Sequence, residues 1–199
     1  MDIVLASGSP RRRELLQMLK VKNLRVIPAR SEERAPAGLE PGELVKFLAS
    51  HKAREVAALC GEDDLIIAAD TIVWHQGRIF GKPHSPEEAA AMLRSLSGCS
   101  HQVFTGVSVL RRGRELLEYE MSRVHFRSLD EDEIARYVAT GEPMDKAGAY
   151  GIQGYGALLV ERIEGDYFNV MGLPVCRLGR MLAGMGTDCL ALAAGNRGQ

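Results

Sequence analysis

The sequence predicts a mixed α/β fold, an elongated central sheet with helices on its faces. Three observations carry this expectation. Short apolar runs that read as strands alternate with segments whose apolar residues recur at helical spacing. At least two pairs of neighbouring strands are joined by hairpin signals, so the sheet cannot be all parallel. The 199 residues are enough to hold a core without a disulfide or structural metal, since a chain of this length buries roughly 70% of its unfolded surface.

Taken in order, Ile3–Ala6 is a short buried strand. Ser9 then stands as an N-cap with Pro10 at the first helical position, followed by Leu15, Leu16, Met18 and Leu19 at helical spacing. Residues 24–27 form a second short strand. The segment 30–43 is charged and carries Pro36, Gly38, Pro41 and Gly42, which reads as a loop, and Leu44, Val45, Phe47, Leu48, Val56 and Leu59 mark the next helix. Leu65–Ala69 is wholly apolar and ends at Asp70, the pattern of a buried strand delivering a carboxylate at its C-terminal end. Residues 72–73 and 79–80 flank Gln76-Gly77 as a hairpin. Ser85-Pro86-Glu87-Glu88 is a capping-box sequence opening a helix to about Leu96, closed by Gly98. Residues 101–110 and 116–126 are two long antiparallel strands joined near Arg112-Gly113. Asp130 and Glu133 cap a helix that ends at Gly141. A Gly-rich stretch, 148–156, precedes a strand over 157–163, and a last helix fits 174–182. Residues 1–183 form a single expected domain, and 184–199, rich in Gly and Ala, a loosely ordered tail.

Composition narrows the function. A formal net charge of −1 gives no global field for nucleic acid or an acidic membrane, and a single Trp offers few bases a stacking partner. Cys60, Cys99, Cys176 and Cys189 have neither metal-ligand nor redox-motif spacing and read as reduced thiols. The N-terminus carries no signal-peptide pattern, and no apolar run approaches the ~20 residues of a membrane helix. Cytoplasmic residence is the default expectation. The five histidines show no HxH or HExxH pattern.

Chemistry concentrates in a few places. At Ser7-Gly8-Ser9-Pro10-Arg11-Arg12-Arg13 a strand gives way to a helix whose unpaired N–H groups and positive dipole end lie beside two hydroxyls and three guanidinium groups. That combination suits a polyphosphate, and arginines in the first turn, which oppose the dipole, mark a functional exception to a local rule. No P-loop is present, and Gly151-Ile152-Gln153-Gly154-Tyr155-Gly156 has the wrong order and the wrong following element for a dinucleotide fingerprint. Asp70 lies where α/β sheets bind ligands, at a strand's carboxyl end. Glu32, Glu33, Lys52 and Lys82 are unremarkable alone.

Together these segments resemble the Maf family of nucleotide pyrophosphatases, the septum-formation-inhibitor-like proteins. The matching motifs are Ala6-Ser7-Gly8-Ser9-Pro10-Arg11-Arg12, Glu33, Lys52-Ala53, Ala69-Asp70-Thr71, Gly81-Lys82-Pro83, Leu96-Ser97-Gly98, the run from Glu142 to Gly154, and Gly172-Leu173-Pro174. Their order holds from residue 2 to about 183. The resemblance implies a fold similar to inosine triphosphate pyrophosphatases and hydrolysis between the α- and β-phosphates with Mg²⁺ or Mn²⁺. Arg11, Thr71 and Gln153 resemble the subgroup acting on dTTP and UTP rather than the one acting on 7-methyl-GTP. The implied roles follow. Glu33 and Asp70 hold the cation, and Asp70 also takes the proton from the attacking water. Arg11, Arg12, Lys52 and Lys82 neutralise phosphate charge. Ser7 and Ser9 bind substrate oxygens, and Thr71 and Gln153 read the pyrimidine edge. A house-cleaning or cell-division-arrest role is a further implication. Competing expectations are a nucleotide-binding regulator of septum formation with little turnover, a purine-directed inosine triphosphatase-type enzyme, and a nucleic-acid module using Arg11–Arg13. A homodimer is the base-rate expectation for assembly.

Overall fold

The computed structural model describes residues 1–21, 23–30, 35–188 and 190. Among these, seven strands form one mixed sheet. They are β1 (Ile3–Leu5), β2 (Leu24–Val26), β3 (Leu65–His75), β4 (Arg78–Phe80), β5 (Ser100–Arg111), β6 (Arg114–Phe126) and β7 (Val160–Glu164). Their order is β2-β1-β3-β5-β6-β7, with β4 paired to β3. The helices are α1 (Pro10–Met18), α2 (Pro41–Ala57), α3 (Pro86–Leu96), α4 (Glu131–Ala139), α5 (Tyr167–Met171) and α6 (Val175–Gly184). The expected α/β class with a mixed sheet and flanking helices holds. No described helix is long and apolar enough to cross a membrane.

The chain divides into two compact units. The first comprises residues 1–70, 105–120 and 172–199. Here β1 pairs in parallel with β2 and with β3, Leu5 lying opposite Val26 and Ile67. Every residue of β1 is buried, as a central parallel strand requires. Val4, Ala6, Ala53, Val56, Ile66 and Ala68 make one core cluster, so α2 lays its apolar face on β1 and β3. The approach of α2 is close: a Cβ added at Gly106 would stand 2.2 Å from the Val45 carbonyl oxygen, so only glycine fits at that point of β5. Past α6, Met185 and Thr187 are buried. Of the expected tail, residues 189 and 191–199 lie outside the described residues.

The second unit comprises residues 71–104 and 121–171. In its core Val73, Leu93, Leu96, Val103, Val124, Phe126, Ile134, Tyr137, Tyr150 and Leu159 pack together with Ala89 and Ala149. α3 contributes Ala89, Leu93 and Leu96 at helical spacing. The short helix α5 is pinned from outside itself. Asn169 Nδ2 donates to the Val103 carbonyl (3.0 Å) and to Ser122 Oγ (2.9 Å).

Several boundaries differ from expectation. β3 does not stop at Asp70. It runs unbroken to His75, because Val73, Trp74 and His75 pair antiparallel with Phe80, Ile79 and Arg78. Asp70 is therefore a mid-strand residue. α2 begins at Pro41 rather than near Leu44, since Pro41 takes the first helical position, where a missing N–H costs nothing. The Ser85 box is half formed: Ser85 Oγ accepts the Glu88 N–H (3.2 Å), but the Glu88 carboxylate accepts from His84 N (2.7 Å).

Candidate active site

The carboxyl end of the β1–β3 pair gathers the first group of expected residues. Parallel register sets Leu5 opposite Ile67, and Ala6 N donates to the Ile67 carbonyl at 2.8 Å. Two residues past Leu5 the chain turns through Ser7-Gly8-Ser9 into α1. Three residues past Ile67, β3 carries Asp70 beyond the end of β1. The turn thus leaves β1 at its carboxyl end, where open α/β sheets bind ligands, and the neighbouring β3 carries Asp70 past that same end.

Ser7 and Arg12 lock this turn. Both are buried. Arg12 donates from Nη1 to Ser7 Oγ (3.0 Å) and from Nε to the Gly172 carbonyl (2.8 Å). Ser9 N also donates to Ser7 Oγ at 3.3 Å. The Ser7 oxygen accepts both bonds, which leaves its own O–H as the donor it can offer a substrate oxygen. Arg12 was expected to bind phosphate. Its Nε and one Nη are directed to the protein, so part of its work is to tie the β1–α1 turn to the segment before α6. Gly172, at φ 111°, presents the carbonyl.

Ser9 occupies the N-cap of α1 with extended geometry, φ −71° and ψ 119°, but its side chain makes no capping bond. The first turn of α1 holds no acidic residue. The expectation of Ser9 as a side-chain cap fails, because its hydroxyl makes no bond to the N–H groups two or three residues on. The start of α1 keeps the partial positive charge of a helix N-terminus, which attracts an anion. Arg11 is half-buried and Arg13 exposed beside it.

Lys52 lies on α2 and reaches the sheet. Its Nζ donates to Asp70 Oδ1 at 2.5 Å, with both side chains mostly buried, at 15% and 12% exposure. Two buried charges so paired satisfy each other, whereas removal of either strands the other. The bond engages one carboxylate oxygen, Oδ1. Glu33, the other expected ligand, lies outside the described residues, as does Glu32.

The donor set bears on a cation. Among the described residues, no three His, Cys, Asp or Glu side chains gather in metal-binding geometry. Mg²⁺ is commonly held by one or two carboxylates together with waters and substrate phosphates rather than by an all-protein cage. A carboxylate that a lysine engages through one oxygen can serve as one ligand of such an ion.

The remaining expected residues belong to the second unit. Thr71 follows Asp70 directly and is half-buried. Lys82 is exposed just after β4. Gln153 is exposed, immediately before the 3₁₀ turn Gly154–Leu158. The structure thus brings Ser7, Arg12, Lys52 and Asp70 into the first unit and places Thr71, Lys82 and Gln153 in the second.

A family model describing Maf-like proteins matches residues 2–185. The chain belongs to the Maf-like protein family. Curated relatives agree along nearly the whole length. The chain is 51% identical to a dTTP/UTP pyrophosphatase of Pelotomaculum thermopropionicum, covering 95% of this chain and 99% of the relative. It is 53% identical to a dTTP/UTP pyrophosphatase of Moorella thermoacetica, covering 94% and 96%. Among solved structures it is similar to the Ham1 protein of Staphylococcus aureus at 15% identity and a TM-score of 0.48, covering 80% of each chain.

Sequence reasoning missed two contributors. Gly172 belongs to a motif, Gly172-Leu173-Pro174, to which the sequence assigns no work; the glycine was the only hint that a carbonyl is presented there. Glu142 opens the longest motif, and nothing local indicates that its carboxylate bonds backbone thirteen and fourteen residues away.

Proposed function

We infer that this chain is a nucleoside triphosphate pyrophosphatase that hydrolyses dTTP and UTP to the monophosphate and pyrophosphate. The observation that carries the reading is the parallel register of β1 and β3, which sets the Ser7–Ser9 turn and Asp70 just past the same end of β1 within one unit. The names borne by relatives about half identical to it support the substrate.

The residues divide the work. A triphosphate brings about four negative charges, and attack on phosphorus needs them neutralised and the nucleophile held in line. The N–H groups at the start of α1, the Ser7 hydroxyl and Ser9 bind phosphate oxygens. Arg11, Lys52 and Lys82 supply positive charge, and Arg12 supplies it while holding the turn in shape. Asp70 accepts the proton of the attacking water. A divalent cation, when bound through Asp70 and Glu33, supplies further charge neutralisation and makes a water more acidic. Thr71 and Gln153 read the base, since an amide offers both a donor and an acceptor to the carbonyl and N3–H of thymine or uracil.

Product analysis tests this. Incubation of the purified chain with UTP or dTTP and Mg²⁺ or Mn²⁺ should release pyrophosphate and the nucleoside monophosphate in equal amounts. Tight binding without turnover would make the chain a nucleotide-binding regulator, and release of orthophosphate would place the cleavage at the wrong bond.

A further inference from the structure

We propose that Glu142, together with Tyr137, is a positioning residue for base selection: the two clasp the turn that presents Gln153. The proposal rests on the reading of Gln153 as the group that reads the pyrimidine.

The clasp has three parts, all within the second unit. Glu142 Oε2 accepts the Tyr155 N–H at 2.9 Å, and Oε1 accepts the Gly156 N–H at 2.9 Å. The Tyr137 hydroxyl donates to the same Oε1 at 2.9 Å and in turn accepts the Gly151 N–H at 3.3 Å. Gln153 is thus bracketed. The backbone two residues before it is held by Tyr137, and the backbone two and three residues after it by Glu142. Residues 151–153 lie outside any strand or helix, and 154–156 only begin the short 3₁₀ turn Gly154–Leu158.

Close packing fits the clasp to glycine. A Cβ at Gly154, which has φ 68°, would stand 2.6 Å from Glu142 Oε2. A Cβ at Gly156 would stand 2.7 Å from the Tyr137 hydroxyl and 2.2 Å from the Gly151 carbonyl oxygen. The carboxylate and phenol therefore touch the turn's backbone directly. Beneath the turn, Lys146 Nζ donates to the Glu142 carbonyl at 2.7 Å, and the Lys146 stem lies against Gly151.

None of this requires an exposed side chain to be ordered for stability alone. Gln153 itself is exposed, and the bonds end on the backbone either side of it. A buried phenol and a carboxylate used in this way give a rigid support to a solvent-facing amide. Orientation of a recognition group is the service such a support performs, and small misplacements of such groups are costly in rate.

The test is kcat and KM for UTP and CTP, measured separately by pyrophosphate release on the full chain and on Glu142→Gln, Glu142→Ala and Tyr137→Phe, with thermal denaturation alongside. A glutamine keeps one acceptor oxygen for Gly156 N and Tyr137 but turns an amide group toward Tyr155 N, so its effect should fall between wild type and alanine. The UTP-over-CTP ratio of kcat/KM should drop about tenfold in Glu142→Ala, and less in Glu142→Gln and Tyr137→Phe. The loss should lie mainly in KM for UTP, with CTP little affected. If Glu142→Ala fails to fold, Tyr137→Phe, which removes one oxygen and keeps the ring, carries the test. A folded variant set that keeps the wild-type ratio, or that loses UTP and CTP turnover in equal measure, overturns the clasp as a selectivity device. A wild-type chain that does not favour UTP overturns the reading of Gln153 as well, which separates the two failures.

Discussion

Two helices of this molecule begin with the same dipeptide and end up with different chemistry. α3 opens on Ser85-Pro86 and α1 on Ser9-Pro10. At α3 the serine has φ −149° and ψ 161°, its hydroxyl accepts the Glu88 N–H, and Glu87 and Glu88 complement the positive end of the dipole. At α1 the serine has φ −71° and ψ 119°, its hydroxyl caps nothing, and Arg11, Arg12 and Arg13 follow where acids belong. The first helix start is satisfied by its own residues. The second has neither a serine side-chain cap nor an acid in its first turn, and it gathers positive charge there. A helix N-terminus that its own sequence does not complete is complementary to an anion from outside.

The largest effect should come from the carboxylate at the α1 end. Asp70→Asn removes the proton acceptor and leaves the Lys52 ammonium without its partner charge. Turnover of UTP should fall at least ~100-fold, with the circular dichroism spectrum retained. Near-normal kcat in a folded mutant would detach Asp70 from the chemistry and remove the reason for α1's unusual start. Arg12→Lys should come next. Lysine cannot donate in two directions from a planar fork, so Ser7 Oγ or the Gly172 carbonyl loses its bond. We expect kcat/KM to fall on the order of tenfold and stability by about 1.5–3 kcal/mol, as a charged, buried hydrogen bond is lost. Unchanged stability on denaturant unfolding would mean that Arg12 does not hold the turn.

The serines sharpen the comparison most finely. Ser85→Ala should cost ~1 kcal/mol, the worth of a side-chain cap, and lower Tm by about 2–4 °C with UTP turnover intact. Ser9→Ala should leave Tm nearly where it was, since there is no capping bond to lose, and raise KM for UTP. If the two substitutions lower Tm equally, the helix starts are alike and the contrast between them is false.

Much of the fold was legible because its signals are local. Gln76-Gly77 and Arg112-Gly113 both take positive φ at successive residues, the backbone of a tight two-residue hairpin turn, and both were readable from a glycine after a polar residue between apolar runs. Asp130 and Glu133 form the full capping box that their spacing announces. What was hidden depends on partners distant in sequence. Asp70 looked like a strand end because a charge follows five apolar residues. The strand continues because β4 pairs with the stretch beyond it. α5 has five residues and is fixed by Asn169 reaching Val103, 66 positions away. The site divided in the same way. Ser7 and Asp70 announce themselves by residue type at a strand-to-helix turn and in an apolar strand, whereas Lys52 stands out only through the motifs shared with the family. The tie from Arg12 to Gly172 spans 160 positions and leaves no local trace.

The most direct measurement is kcat/KM for dTTP, UTP, dCTP and 7-methyl-GTP under one cation. Thymine and uracil present two carbonyls flanking an N3–H, whereas cytosine replaces one carbonyl with an amino group and lacks the N3–H. A site matched to the first pattern leaves a polar group unpaired on the second, at a cost of ~1–3 kcal/mol, or roughly 5- to 150-fold. dTTP and UTP should therefore be hydrolysed at similar efficiency, both above dCTP by that factor and above 7-methyl-GTP. A preference for 7-methyl-GTP, or equal rates on all four, would contradict the assignment of Thr71 and Gln153 as readers of the pyrimidine.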